Sequence, residues 1–230
     1  MLPAHACWLL YGPSTTGVDP RPARAADVFD ALFPGERLAH ALRADARTER
    51  VRDRESWLAG ALATSDHVRL NNGRDDAARF VQLAWSRWPA AASPGRLARV
   101  VLRLDVPARG EVLELAPLLT ARLAEAMLPW HGVVLTCGYA SALEGYGADL
   151  ERHNPLLPRR FGWLNVWSPA TCAILGLRRA DERLFASALR TRDGARLLTL
   201  TRAPLDPDAD PAHRDALRAV ALRFPRIGAS

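Results

Sequence analysis

The strongest constraint on the fold is the uninterrupted apolar run Ala6, Cys7, Trp8, Leu9, Leu10 and Tyr11, closed by Gly12 and Pro13. Successive side chains of a strand point to opposite faces, so a strand that is apolar at every position must be covered on both. The run therefore predicts a strand inside a sheet. A chain of 230 residues supplies the core this needs, since at that length roughly 70 to 75% of the unfolded surface is buried. The expected architecture is α+β: a single two-layer domain spanning residues 1–230, with a mainly antiparallel or mixed sheet packed against helices.

Ala25, Val28, Phe29 and Leu32 recur at helical spacing between Pro22 and Pro34, which predicts an amphipathic helix. From Arg43 to Glu55 arginine alternates with Asp or Glu, the pattern of a solvated helix face or a loop. His67 to Asn71 and Phe80 to Trp88, with Asn72 and Gly73 as the turn signal, predict a hairpin. Arg99 to Val106 is the clearest strand. Val100, Leu102, Leu104 and Val106 take one face and Arg99, Arg103 and Asp105 the other, so one face is expected to meet solvent or a partner. Pro117 is placed in the first turn of a helix carrying Leu119, Leu123, Ala126 and Met127, followed by a strand from Val133 to Cys137. Residues 111–115 fit no single pattern.

A long connection bearing Gly and Pro runs from Gly138 to Pro158, read as either a functional loop or a helix around Leu143 to Leu150. Phe161 to Trp167 predicts a short strand. Ser168 and Pro169 supply an N-cap and a first helical residue for a helix ending near Gly176. Leu184, Phe185, Ala188 and Leu189 have helical spacing, Asp193 and Gly194 mark a turn, and Leu197 to Thr201 a strand. A last helix, capped by Asp210 and opened by Pro211, directs Leu217, Val220, Ala221 and Phe224 inward and stops at Pro225.

All 31 basic residues are arginine, and the formal net charge is +6. The excess is local. Residues 151–202 hold ten arginines against four acids, a surplus equal to the net charge of the whole chain. Such a segment presents a positive face to an acidic partner or a phosphate backbone. The three cysteines, Cys7, Cys137 and Cys172, are odd in number and widely spaced, which indicates neither a disulfide framework nor a zinc ribbon and fits a reducing compartment. The start of the chain shows no basic n-region or cleavage motif, and its apolar stretch is too short to span a membrane. A cytoplasmic protein without membrane association is expected.

Without lysine the chain lacks the side chain needed for a P-loop or a Schiff base. Gly145 and Gly147 flank Tyr146 without the third glycine of a dinucleotide loop, so no cofactor is expected. Asp206, Asp208 and Asp210 imitate the opening of a calcium loop, but Pro211 stands where the turn needs Gly and Leu217 where a bidentate Glu is required. Cys137 with His131 is the nearest approach to a nucleophile and base. A cysteine at the end of an apolar strand more commonly serves as a small buried hydrophobe. The sequence thus predicts neither catalytic nor metal-binding residues.

Trp163 and Trp167 stand four residues apart, on one face of the strand predicted over 161–167, and are read as structural indoles joining sheet to helix. The run from Arg160 to Ser168, containing Phe161, Gly162, Trp163, Leu164, Asn165 and Trp167, resembles the bacterial immunity protein 52 family and a related group of uncharacterised proteobacterial proteins. The segment Ala203 to Asp206 and the terminal Arg223, Phe224, Pro225 and Gly228 share in this resemblance, which covers roughly residues 125–230.

The resemblance implies an α+β protein that protects its producer by binding a co-encoded toxin, often a nuclease-like effector delivered by a type VI secretion system, with no chemistry or cofactor of its own. The expected partner is thus a cognate protein toxin. The long connection and the arginines after it are the expected contact surface: Glu144, Tyr146, Asp149, Glu151, Arg152, Arg159 and Arg160. No sequence-specific nucleic-acid binding is expected, because the arginines show no recognised reading motif. The alternative is a nucleic-acid-binding accessory protein that uses the arginine-rich segment 151–202.

Overall fold

A computed structural model describes residues 5–15, 17–42, 47–76, 78–88, 98–137, 156–204 and 210–227. Its strands are β1 (His5–Pro13), β2 (His40–Leu42), β3 (Thr48–Arg50), β4 (His67–Asn71), β5 (Gln82–Trp88), β6 (Arg99–Pro107), β7 (His131–Cys137), β8 (Leu164–Trp167), β9 (Ser187–Arg190) and β10 (Arg196–Thr199). The helices are α1 (Arg21–Leu32), α2 (Arg54–Thr64), α3 (Gly110–Met127), α4 (Pro169–Leu175) and α5 (Pro211–Arg223), with 3-10 turns at Pro34–Glu36 and Arg179–Leu184.

The strands form one ten-stranded sheet in the order β3-β2-β4-β5-β6-β1-β7-β8-β10-β9. Every pairing is antiparallel. The apolar run lies in the middle, with β1 between β6 and β7. Ala6, Trp8 and Leu10 enter the core built with α1 and α3, while Cys7, Leu9 and Tyr11 cluster with Val133 and Leu135 on the other face.

The α+β class stands, but the layering differs from the two-layer expectation because helices cover both faces. Those of α1, α2 and α3 pack on one. On the other, Trp167 and Leu198 meet Leu175, Phe185, Val220 and Phe224 from α4, α5 and the intervening 3-10 turn. Alternation makes this possible: Val166 and Leu197, the immediate neighbours of Trp167 and Leu198, belong to the first core.

Pro117 lies inside α3 and not in its first turn, because the helix already starts at Gly110. Proline removes one helical hydrogen bond, and the interior position is tolerated in a helix that buries Val112, Leu113, Ala116, Leu119, Leu123 and Met127. Thr120 adds a polar fastener: its hydroxyl donates to the Ala116 carbonyl at 2.6 Å and accepts the Trp8 indole N–H at 2.8 Å. The charge-alternating stretch divides differently from its reading. Thr48–Arg50 forms an edge strand, and Asp53 then caps α2 by accepting from the Ser56 N–H.

The predicted outer face of β6 is not open, since Arg99 and Asp105 are both buried and Arg103 pairs with Asp105 at 2.7 Å. The helix predicted from Leu184 to Leu189 is instead the end of a 3-10 turn followed by β9. Here hairpin closure overrides apolar spacing. Gly194 takes φ 88° at the turn signalled by Asp193, and β9 pairs with β10. The two helix starts at Ser168 and Asp210 form as expected, each side chain accepting a backbone N–H, from Thr171 and Ala212.

Candidate interaction surface

The element that carries the sequence resemblance is a clamp between three strands. The Trp163 N–H donates to the Val134 carbonyl at 2.9 Å, the Trp163 carbonyl accepts from Leu200 N–H at 2.7 Å, and the indole N–H donates to the Thr201 carbonyl at 2.9 Å. Asn165 closes the turn before β8, its side chain accepting from Gly162 N–H and donating to Gly162 carbonyl, both at 2.9 Å. Gly162 is required by space: a Cβ there would stand 2.4 Å from the Val134 carbonyl oxygen. Gly162→Ala is therefore expected to destabilise the fold by about 1 to 3 kcal/mol, the usual range for forced overpacking. A melting temperature equal to wild type would contradict this.

Trp163 and Trp167 do not share a face. Trp163 belongs to the core with Val134, Leu164 and Val166, whereas Trp167 packs against Phe161, Phe185 and Phe224 in the core on the opposite side. The strand begins only at Leu164, so the bend at Trp163 breaks the alternation on which the sequence reading relied.

Of the predicted contact residues, Glu144, Tyr146, Asp149, Glu151 and Arg152 lie outside the described residues. Arg159 and Arg160 are half-buried and already engaged in interactions. Asp206 and Asp208 also lie outside the described residues, and Asp210 serves as the α5 cap. His131 and Cys137 occupy opposite ends of β7. Six residue-to-residue steps of extended strand separate their backbones by roughly 20 Å, too far for a nucleophile and its base. His131 instead stacks on Tyr11, with ring centroids 4.8 Å apart. Burial pushes the Cys172 thiol up to about 11, so it stays protonated at neutral pH.

The excess charge of the C-terminal third is resolved into paired and unpaired arginines. Arg223 grips Asp181 with two hydrogen bonds of 2.8 Å, and these hold the Asp181 carboxyl below its ordinary range. Arg196 pairs with Glu182 at 2.9 Å. Asp193 accepts from the Thr191 hydroxyl. With those acids engaged, Arg179, Arg183, Arg190 and Arg192 remain exposed around the β9 hairpin, with no acidic partner among the described residues. A second polar feature is a cleft of about 400 Å³ between α1 and the β3–α2 segment. Arg54 spans its floor, bonded to Asp27, Asp30 and the Leu38 carbonyl.

The solved structure of the Pseudomonas aeruginosa T6SS protein PA0821 is similar to this chain, with a TM-score of 0.67 over 98% of this chain and 77% of that one, at 18% sequence identity. The two share a fold. Residues 146–230 match the family model of a domain of unknown function, DUF5953. That match falls within the stretch over which the sequence resembles immunity protein 52. No curated protein matches the chain. The fold likeness extends well past residues 125–230, to which the sequence resemblance is confined. Among the described residues, no helix is long and apolar enough to cross a membrane.

Proposed function

We propose that the chain is an immunity protein: a cytoplasmic, non-catalytic binder that neutralises a co-encoded secreted toxin of the type VI class by covering its active site or substrate path. The observation that carries this reading is the fold shared with a T6SS protein across nearly the whole chain. The way the interior spends its polar groups is consistent with it. The Trp8–Thr120 bond fastens β1 to α3 and the Asn165–Gly162 bonds close the turn before β8, while the surplus charge stands at the surface. A basic rim suits an acidic target surface better than the basic substrate groove of a nuclease.

Protection requires very little free toxin, so the dissociation constant is expected at or below about 1 nM, near −12 kcal/mol. An interface of roughly 1,200 to 2,000 Å² is the usual size for such a complex. Co-expression with the toxin gene adjacent to this one tests the reading: growth should be rescued and the two proteins should co-purify. Failure to associate would overturn it. The exposed arginines favour one alternative, an accessory protein that binds nucleic acid. Titration of labelled DNA and RNA at physiological salt separates the two, because weak, salt-sensitive association fits the first reading and sub-micromolar, sequence-dependent affinity the second.

A further inference from the structure

The geometry points to the free edge of β9 as the docking site, where an extended acidic segment of the protein partner adds to the sheet as a further antiparallel or parallel strand. This assignment rests on the reading of the chain as a protein-binding protein. Among the described residues β9 ends the sheet and is paired only with β10. Thr191 N–H donates to the Ala195 carbonyl. Hydrogen-bonded and non-hydrogen-bonded pairs alternate along an antiparallel ladder. The paired positions are therefore Leu189 and Ser187, which turns the backbone groups of Ala188 and Arg190 outward.

Three further observations mark this edge as a binding site. Leu189 is 56% exposed although it sits directly opposite buried Leu197, which leaves an apolar foothold on the strand itself. Arg190 stands opposite Arg196, a like-charge pair that is unfavourable. Glu182 relieves only Arg196, so an acidic side chain on an incoming strand would neutralise Arg190. Arg192 follows in the hairpin, and the 3-10 turn bearing Arg179 and Arg183 packs against β9.

Charged side chains on an edge strand commonly prevent pairing with another chain. Here the charges are of one sign, so they repel a second copy of this chain while attracting an acidic strand. The opposite edge differs. In β3, Glu49 lies between Thr48 and Arg50, and both Arg47 and Glu49 are already engaged. Strand addition supplies affinity through backbone hydrogen bonds and specificity through alternate side chains, while the arginines guide encounter.

The test uses the full-length protein and the purified toxin encoded by the adjacent gene. Ala188→Pro removes an outward N–H and places a ring on the open edge without touching the β10 ladder, as proline is tolerated on edge strands. Arg190→Glu with Arg192→Glu reverses exposed charge with no change to the core. Each variant is expected to keep the wild-type melting temperature and to weaken toxin binding about tenfold or more. In the wild-type complex the amides of Ala188 and Arg190 should become protected from hydrogen exchange. Should Ala188→Pro fail to fold, the exchange measurement and the charge reversal decide the matter. Tight toxin binding with both amides unprotected overturns the edge assignment alone, even if charge reversal weakens binding, because the arginines then act only as a charged patch. Absence of toxin binding by the wild type overturns the underlying reading and this assignment with it.

Discussion

Replacing Trp163 with alanine should lower the stability of the chain by roughly 3 to 5 kcal/mol, the usual cost of removing a buried indole. The side chain is only 3% exposed and lies in the large core beside Val134, Leu164 and Val166. Its loss leaves a cavity in that core and deprives the Thr201 carbonyl of its indole donor. The backbone bonds of residue 163 to Val134 and Leu200 do not need the indole, so the variant is expected to melt at a lower temperature through the same cooperative transition. Toxin binding by the fraction that remains folded should be unchanged. A variant with the wild-type melting temperature and no toxin binding would instead make Trp163 an interface anchor.

Asp19→Ala should be of similar size, about 3 to 5 kcal/mol, because it leaves the Arg21 guanidinium buried without its counter-charge. Asp19 and Arg21 form a buried pair at 2.6 Å, with a second hydrogen bond from Arg21 Nε at 2.9 Å. Arg21 also donates to the Pro13 carbonyl at 2.7 Å, and its guanidinium lies 5.2 Å from the centre of the Trp85 ring. The pair thus ties the end of β1 to the start of α1 and the middle of β5. Replacing both partners by apolar residues should cost less than removing Asp19 alone, since no charge is then stranded.

The same pair gives a pH dependence with a definite sign. Burial pushes the Asp19 carboxyl up, but the hydrogen bonds and charge of Arg21 together outweigh it and hold the group below its ordinary range. Below about pH 4 the unfolded state therefore binds more protons at this residue than the folded state does. The contribution is fully present above the unfolded value and is lost as the pH falls through the folded one. Wild type should show this loss in acid melts. Asp19→Ala should show a shallower acid dependence, and an equal slope in the two proteins would contradict the assignment.

The elements most legible in the sequence are those whose local signals agree with their final surroundings. β1 is apolar at successive positions and is buried on both faces. The starts of α4 and α5 carry a capping side chain followed by proline. Local signals mislead where tertiary context decides between them. Leu184, Phe185, Ala188 and Leu189 have helical spacing, but hairpin pairing to β10 takes Leu189 into an edge strand. Arg99 and Asp105 look solvent-facing from alternation alone, yet both are buried.

The candidate surface was only partly legible. Local charge counting places the surplus in residues 151–202, but it does not distinguish Arg196, or Arg223 beyond that segment, which are paired to Glu182 and Asp181, from Arg190 and Arg192, which have no acidic partner among the described residues. Those pairings join the 3-10 turn to β10 and to the end of α5, contacts that no local pattern encodes. The clamp of Gly162, Trp163 and Asn165 was visible as a motif. Its mechanical role was not, because it depends on Val134, Leu200 and Thr201 from other parts of the chain.

The most direct test of the proposed function is a calorimetric titration of the purified toxin from the adjacent gene with this protein, run alongside an assay of the toxin's activity. The account predicts one-to-one binding with a dissociation constant at or below about 1 nM, and toxin activity that falls linearly to zero at one molar equivalent. No measurable heat and no complex on gel filtration, or full protection at a small fraction of an equivalent, would contradict it.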